Sequence, residues 1–339
     1  MGVNQDTLQP RTSHYPFALF MSVSTSLNIP VIDFAPFVAD DPVGKEQVAK
    51  AIYHACHDVG FLYLKNHGIP QDAIDQAFEQ SRQFFDLPMA QKQKIAWSSG
   101  ASNRGYVGIE RERLDETKPG DLKEAFNLGK EVSPQQAAEQ PKLVLNRWPE
   151  GQDDFRQTIT DFFNLCATGA ARVFRAFAIA LQMPETYILD KHQAQNYTLR
   201  LLHYPSLGVP PKPGQIRAGA HSDYGTLTLL FQDDVGGLEV KTLGDDWIPA
   251  PSLPGTILIN TGDLTERWSN DVFRSTKHRV ALPQGEKAMG DRYSIAFFCQ
   301  PDSEAEIVCF PTCQSDENPP KYPPVKSGEY LLSRLQATY

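Results

Sequence analysis

His221 and Asp223, with Ser222 between them, put an imidazole and a carboxylate at positions i and i+2, which share one face wherever the backbone is extended. Side chains so placed can hold one metal ion together. Two histidines and a carboxylate leave positions open on Fe(II) for a bidentate co-substrate and O2, which a closed four-ligand cage would not. The third ligand has to come from a distant strand, and His278, opening the run HRVAL, is placed to supply it. The tripeptide alone carries little weight, because a histidine beside a solvated aspartate occurs by chance in many chains. His54, His57 and His67 fall in helical sequence, His14 in the N-terminal stretch and His192 in a loop, which suits structural or surface roles. His203 alternates away from Arg200 and Tyr204.

A second group of side chains suits an anion. In RYSIAFFC, the two-residue period puts Arg292, Ser294, Ala296 and Phe298 on one face. An inward guanidinium needs a partner, and its planar fork of donors fits a carboxylate held bidentately; an internal aspartate is the other candidate partner. The stretch Tyr197 to Tyr204 repeats the pattern, with Arg200, Leu202 and Tyr204 together. Tyr204 can donate to the same carboxylate as Arg292 and Ser294. Arg200 is either substrate-facing or a salt-bridged surface residue.

These residues need elements to position them. Before residue 190 the pattern is mainly helical. After the short run NIPVIDFAPF, Asp41-Pro42 starts a stripe of Val48, Ile52 and Ala55 or Cys56 that ends near Gly60. FLYLKNHGIP reads as a strand and turn, a second helix runs from about Pro70 through Ile74, Ala77 and Phe84, and Pro88 begins a third. Ser98 to about Gly129 is polar, Gly-rich and charge-dense, and reads as a long loop over a site or a mobile surface segment. A long helix follows Gly151, with Phe155, Ile159, Cys166, Ala170, Phe174 and Phe177 on its stripe. After Asn196 the period becomes 2. Candidate strands are Tyr197–Tyr204, Thr226–Gln232, Leu238–Thr242, Thr256–Asn260, His278–Leu282, Arg292–Cys299 and Glu304–Phe310, which together make a sandwich or barrel. Gly328 to Leu335 reads as a terminal helix. The expected organisation is one globular α+β unit: a disordered extension at 1–27, a mainly helical region at 28–190 packed on the core, a β core at 191–326 and a C-terminal helix at 327–339.

Composition narrows the partners. The formal net charge is -9 with no basic run, which argues against nucleic acid. No uninterrupted apolar run reaches the roughly 18 residues of a membrane span, and residues 1–27 lack a basic start and a cleavage site. The five cysteines are odd in number and scattered, which fits a reducing, cytoplasmic compartment; Cys309 and Cys313 have no second pair nearby to complete a zinc site. The expected partner is a small molecule, and a monomer is compatible with the sequence.

HSDYG, STKHRVALP, RYSIAFF and HYP, in this order, resemble the isopenicillin N synthase-like branch of the Fe(II)/2-oxoglutarate oxygenases, and PVIDF and GFLYLKNHGIP extend the likeness from about residue 28 to the C-terminus. The resemblance implies a double-stranded β-helix, a distorted jelly roll, with flanking N-terminal and C-terminal helices. It also implies iron on His221, Asp223 and His278, and 2-oxoglutarate gripped by Arg292, Ser294 and Tyr204. Within the branch, LRLLHYP, PGQIRAGAHSDYGTLTLLFQD and GDLTERWSND look closest to the fungal thymine 7-hydroxylases. That likeness implies a substrate pocket at Arg200, Tyr224 and Phe298, where a flat ring can stack and be hydrogen-bonded, with Asn196 adding an amide contact. The chain departs from that group in a shorter, Pro-rich loop at Ser206–Pro213 and in the segment Ser98–Gly129. The expected activity is a dioxygenase that uses Fe(II), 2-oxoglutarate and O2, oxidises a small planar pyrimidine or other heteroaromatic substrate, and releases succinate and CO2. The alternatives are an Fe(II) oxidase of the same fold that uses no 2-oxoglutarate, and a flavonoid-type or other small-metabolite oxygenase. A jelly-roll binding protein without metal is the rival of another class, and the intact His-Asp-His set argues against it.

Overall fold

Alternating apolar side chains after Asn196 form short strands, and the 3.6-residue stripes before it form helices, in a computed structural model that describes residues 29–97, 103–115, 117–140, 143–208, 210–282 and 290–338. The expected extension at 1–27 lies outside these residues. In chain order the first part comprises β1 (Val31–Asp33), α1 (Ala35–Val38), α2 (Pro42–Asp58), β2 (Phe61–Lys65), α3 (Gln71–Phe85), α4 (Met89–Lys94), β3 (Gly105–Val107), β4 (Glu124–Leu128), α5 (Pro134–Glu139) and α6 (Asp153–Ala180). Then follow β5 (Thr198–Tyr204), β6 (Ala218–His221), β7 (Leu227–Gln232), β8 (Leu238–Lys241), β9 (Trp247–Pro249), β10 (Thr256–Thr261), α7 (Asp263–Trp268), β11 (His278–Val280), β12 (Arg292–Cys299), β13 (Glu306–Ile307), β14 (Val325–Lys326) and α8 (Ser327–Thr338).

Two sheets make the jelly roll. The larger has eight strands in the order β1-β2-β10-β7-β12-β5-β4-β3, and the smaller has four, β6-β11-β8-β9. One face of the large sheet, with Leu199, Leu201, Leu229, Ile259, Ile295 and Phe297, packs on α2, α3 and α6. Its other face, with Tyr63, Leu202, Tyr204, Leu258 and Ala296, meets Ala218, Leu238, Val240 and Val280 of the small sheet. Strands β1 to β4 supply half of the large sheet from ahead of residue 190, so the helical region and the core share one ladder.

Helix α2 starts as its sequence dictates, with the Asp41 carboxylate capping Val43 N–H at 3.2 Å and Pro42 in the first turn. Helix α6 is long and apolar enough to cross a membrane by length and composition, yet its Phe155, Ile159, Phe162, Phe163, Phe174 and Phe177 are buried within this protein. Three expectations are corrected. The Ser98–Gly129 segment is not a simple loop: β3 and β4 within it extend the large sheet, and Glu112, Asp121, Lys123 and Asn127 are buried. The strand expected at Glu304–Phe310 is only Glu306–Ile307, because Phe310 turns away to stack on Trp268, with its N–H on the Trp268 carbonyl at 2.7 Å. Strands β6 and β9 were not anticipated; AGAH and WIP offer little alternation to read.

Candidate active site

The large sheet lays out the site in rows. β12 pairs in register with β5 on one side and β7 on the other, so side chains on its inward face line up across three strands. One row is Thr198, Phe298 and Thr228, continued by Asn260 on β10. The next is Arg200, Ala296 and Leu230; then come Leu202, Ser294 and Gln232, and finally Tyr204 with Arg292. All of these except Gln232 line one cavity of about 790 Å³, which lies within the size range of small-ligand sites.

Over the first row sits the metal-capable cluster. His221 and His278 are cross-strand partners on β6 and β11, and Asp223 follows two residues after His221. One donor atom from each of the three lies within 4.8 Å of the others. The ring nitrogens divide their work: His221 Nδ1 faces the Gly219 carbonyl at 2.8 Å and His278 Nδ1 the Thr276 carbonyl at 3.2 Å, which leaves both Nε2 atoms toward Asp223. Asp223 divides its oxygens likewise. Oδ2 accepts from Thr228 Oγ1 at 2.6 Å and Asn260 Nδ2 at 2.7 Å, while Oδ1 stands 3.9 Å from His221 Nε2 and 3.8 Å from His278 Nε2. Those gaps are too wide for hydrogen bonds and suit a shared cation. Burial, and then the neighbouring His278, push His221 down to about 3, so it is held as the neutral imidazole a metal binds. Burial opposes ionisation of Asp223, but His278, His221 and the bonds from Asn260 and Thr228 outweigh it and keep the carboxylate below its usual range. The donor set fits Fe(II), with second partners of the kind that orient metal ligands.

At the far end, Arg292 is fully buried on β12. Its Nη1 lies 3.3 Å from Ser294 Oγ, its Nη2 donates to Gln232 Oε1 at 2.9 Å, and its guanidinium lies over the Tyr204 ring at 4.7 Å. The internal aspartate weighed as the other candidate partner is not hydrogen-bonded to it among the described residues; Gln232, which the sequence did not single out, is. Arg217, just ahead of β6, is also fully buried and gives Nη2 to the Gly290 carbonyl at 3.0 Å; burial, then the charge of Arg292, lowers it.

The substrate candidates are brought to the same cavity with different fittings. Arg200 is both cavity-lining and ion-paired, its Nη2 meeting Glu112 Oε1; Glu112 also faces Lys123, which in turn bonds Asp121. This buried network lies in the charge-dense segment and had no sequence signal beyond its charges. Phe298 lines the cavity from β12. Tyr224 lines it too, with the Arg334 guanidinium of α8 over its ring at 5.0 Å, and Leu331, Leu332 and Leu335 of α8 complete that wall. Asn196 is not on the strand with Arg200, since β5 begins at Thr198; it sits at the rim, donating to Ser303 Oγ at 3.2 Å.

A jelly roll with two histidines and an aspartate converging in its cavity defines a mononuclear non-haem metal enzyme. Residues 29–151 match the non-haem dioxygenase N-terminal region, described from morphine synthesis, and residues 189–301 match the 2OG-Fe(II) oxygenase superfamily. The chain is 32% identical to a 2-oxoglutarate-Fe(II) type oxidoreductase of Metarhizium rileyi, with 94% of each covered. It is 34% identical to a proline hydroxylase of Petromyces alliaceus, over 91% of this chain and 98% of the relative. The solved structure of full-length Neurospora crassa thymine 7-hydroxylase with alpha-ketoglutarate and thymine matches at a TM-score of 0.83 and 38% identity, covering 94% of this chain and 99% of that one. The chain belongs to the 2OG-Fe(II) oxygenase superfamily, and its cofactors are Fe(II), 2-oxoglutarate and O2.

Proposed function

We propose that His221, Asp223 and His278 hold the iron, that Arg292, Ser294 and Tyr204 hold the far carboxylate of 2-oxoglutarate, and that the substrate is a small planar pyrimidine or other heteroaromatic molecule. The observation that carries the substrate reading is the first row: Thr228, which with Asn260 fixes Asp223, is the in-register neighbour of Phe298, and Asn260 stands next beyond it in the same row. A ring lying on Phe298 therefore presents its edge to the metal cluster. Bound Fe(II) supplies the O2 activation that is coupled to oxidative decarboxylation of 2-oxoglutarate and oxidises a substrate C–H bond. The chain's own part is orientation and exclusion of water. Arg200, kept in place by Glu112, donates to polar ring atoms; Tyr224 and Phe298 offer aromatic faces; Leu331, Leu332 and Leu335 of α8 add an apolar wall. The similarity to thymine 7-hydroxylase supports a pyrimidine, and Asn196 at the rim is available for an amide contact. The proposed cellular setting is cytoplasmic. The test is a screen of pyrimidines, other N-heterocycles and flavonoid-like phenols for substrate-dependent succinate, with product mass measured alongside. Succinate coupled to oxidation of a heterocycle is the expected result. Turnover confined to phenols or to non-aromatic compounds would overturn the substrate class.

A further inference from the structure

Among the described residues, the cationic side chains buried or half-buried along the cavity are matched to anions, apart from one. Lys123 faces Glu112 and Asp121, Arg200 pairs with Glu112, and Arg292 lies where the co-substrate carboxylate is assigned. Arg104, just ahead of β3, lines the same cavity and has no carboxylate partner among the described residues. Its Nη1 donates to the Asn103 carbonyl at 3.1 Å and reaches Thr198 Oγ1 at 3.5 Å, and its buried Nε has no acceptor. A guanidinium largely withdrawn from water without a counter-ion is unfavourable, and burial draws it down to about 10, which still leaves it charged at neutral pH. Gly129 makes the space, since a Cβ there would run into the Arg104 guanidinium.

The position of Arg104 specifies what could answer that charge. Thr198, which its Nη1 reaches, is the partner of Phe298, and Phe298 is the partner of Thr228, which fixes Asp223. Two strand spacings, about 10 Å, therefore separate the anchor row position from the one beneath the metal cluster, with the Phe298 ring between them. We propose that the substrate is a heteroaromatic carboxylic acid whose ring lies on Phe298 and whose carboxylate pairs with Arg104. This rests on the ring reading given above and adds the charged group to it. A planar fork of donors meeting a carboxylate fixes the direction of the ring as well as its place, and so selects which C–H bond faces the metal.

The test uses the anaerobic Fe(II)/2-oxoglutarate enzyme and matched probes: thymine-1-acetate and its amide, quinoline-2-carboxylate and its amide, hexanoate and hexanamide, and neutral thymine. Binding is measured by calorimetry, and oxidation by succinate release after O2 is admitted. One aromatic acid is expected to bind at least about tenfold more tightly than its amide. Arg104→Gln should erase that preference with the 2-oxoglutarate KM unchanged. Arg104→Lys, which keeps the charge without the fork, should retain part of the preference; it also serves as the test if the glutamine variant does not fold. Equal binding of acids and amides, or a preference that survives Arg104→Gln, overturns the proposal. Tight, productive thymine binding with no gain from any acid overturns the acid anchor and leaves the ring reading standing. An Arg104-dependent preference seen only for hexanoate does the reverse.

Discussion

Asn260 Nδ2 donates to Asp223 Oδ2 at 2.7 Å, and this bond, with that from Thr228, decides which carboxylate oxygen is left to face His221 and His278. The metal cluster is thus oriented from the large sheet although its two histidines stand on the small one.

Removing that support should be felt in metal affinity before it is felt in fold. Asn260→Ala is expected to weaken Fe(II) binding by about 10–100-fold, the range for lost ligand-orienting partners. Asp223→Ala should abolish both stoichiometric Fe(II) binding and turnover. Anaerobic Fe(II) titration with circular dichroism checks both, and wild-type affinity in Asp223→Ala would end the ligand assignment.

For the co-substrate, Arg292→Gln should raise the 2-oxoglutarate KM roughly tenfold to over a hundredfold, since a charge-assisted pair contributes about 1.5–3 kcal/mol. The substrate KM should change far less. Steady-state kinetics with each varied in turn separates the two, and an unmoved 2-oxoglutarate KM would place the carboxylate elsewhere.

Arg200 should be coupled to Glu112 in stability and to Phe298 in binding. Arg200→Ala removes one of the cations that face buried Glu112, so it should lower the melting temperature as well as substrate affinity; adding Glu112→Ala should restore part of the stability and none of the affinity. Phe298→Ala should lose ring contact and a stacking contribution of about 0.5–1.5 kcal/mol, with iron and 2-oxoglutarate binding preserved. A double-mutant cycle on stability and calorimetry with the best screened substrate give the readouts; additive Arg200 and Glu112 effects would refute the coupling.

His192 gives the fold a calculable pH response. It is buried, with Nδ1 facing the Ile188 carbonyl at 2.8 Å and Nε2 facing Thr226 Oγ1 at 2.9 Å, and burial lowers it to about 4. The unfolded chain, titrating near the ordinary 6.5, binds the extra proton first as pH falls. Stability from this group is therefore full above about 6.5 and lost progressively between there and about 4, by up to about 3 kcal/mol. Chemical denaturation from pH 7.5 to 4 should show a steeper loss for the wild type than for His192→Gln, and parallel curves would contradict this.

The metal-capable residues were legible because metal chemistry restricts residue types, and because the two-residue step of a strand carries His221 and Asp223 to one side. Arg292 and Ser294 were legible for the same geometric reason. The partners of these groups were not. Thr228, Asn260 and Gln232 are ordinary strand residues until register sets them beside Asp223 and Arg292, and register is a long-range property. Glu112, Asp121 and Lys123 were hidden differently: in a charge-dense stretch each looked solvated, and only the addition of β3 and β4 to the large sheet buries them together. Arg200, read in the sequence as either substrate-facing or salt-bridged at the surface, is salt-bridged to a buried carboxylate and stands on the cavity wall.

The uninterrupted pairing of β12 on both edges makes that strand a ruler. Phe298, Ser294 and Arg292 are marks on it four and then two residues apart, and each owes its orientation to counting by twos. A single residue inserted between Ser294 and Phe298 would turn one group of marks toward the helices, and a deletion of two would keep the facing but shorten the span by about 7 Å. The loops at the mouth can therefore vary in length as the family diversifies, whereas β12 can vary only in composition. Indels should be absent from this stretch in any descendant that keeps the reaction.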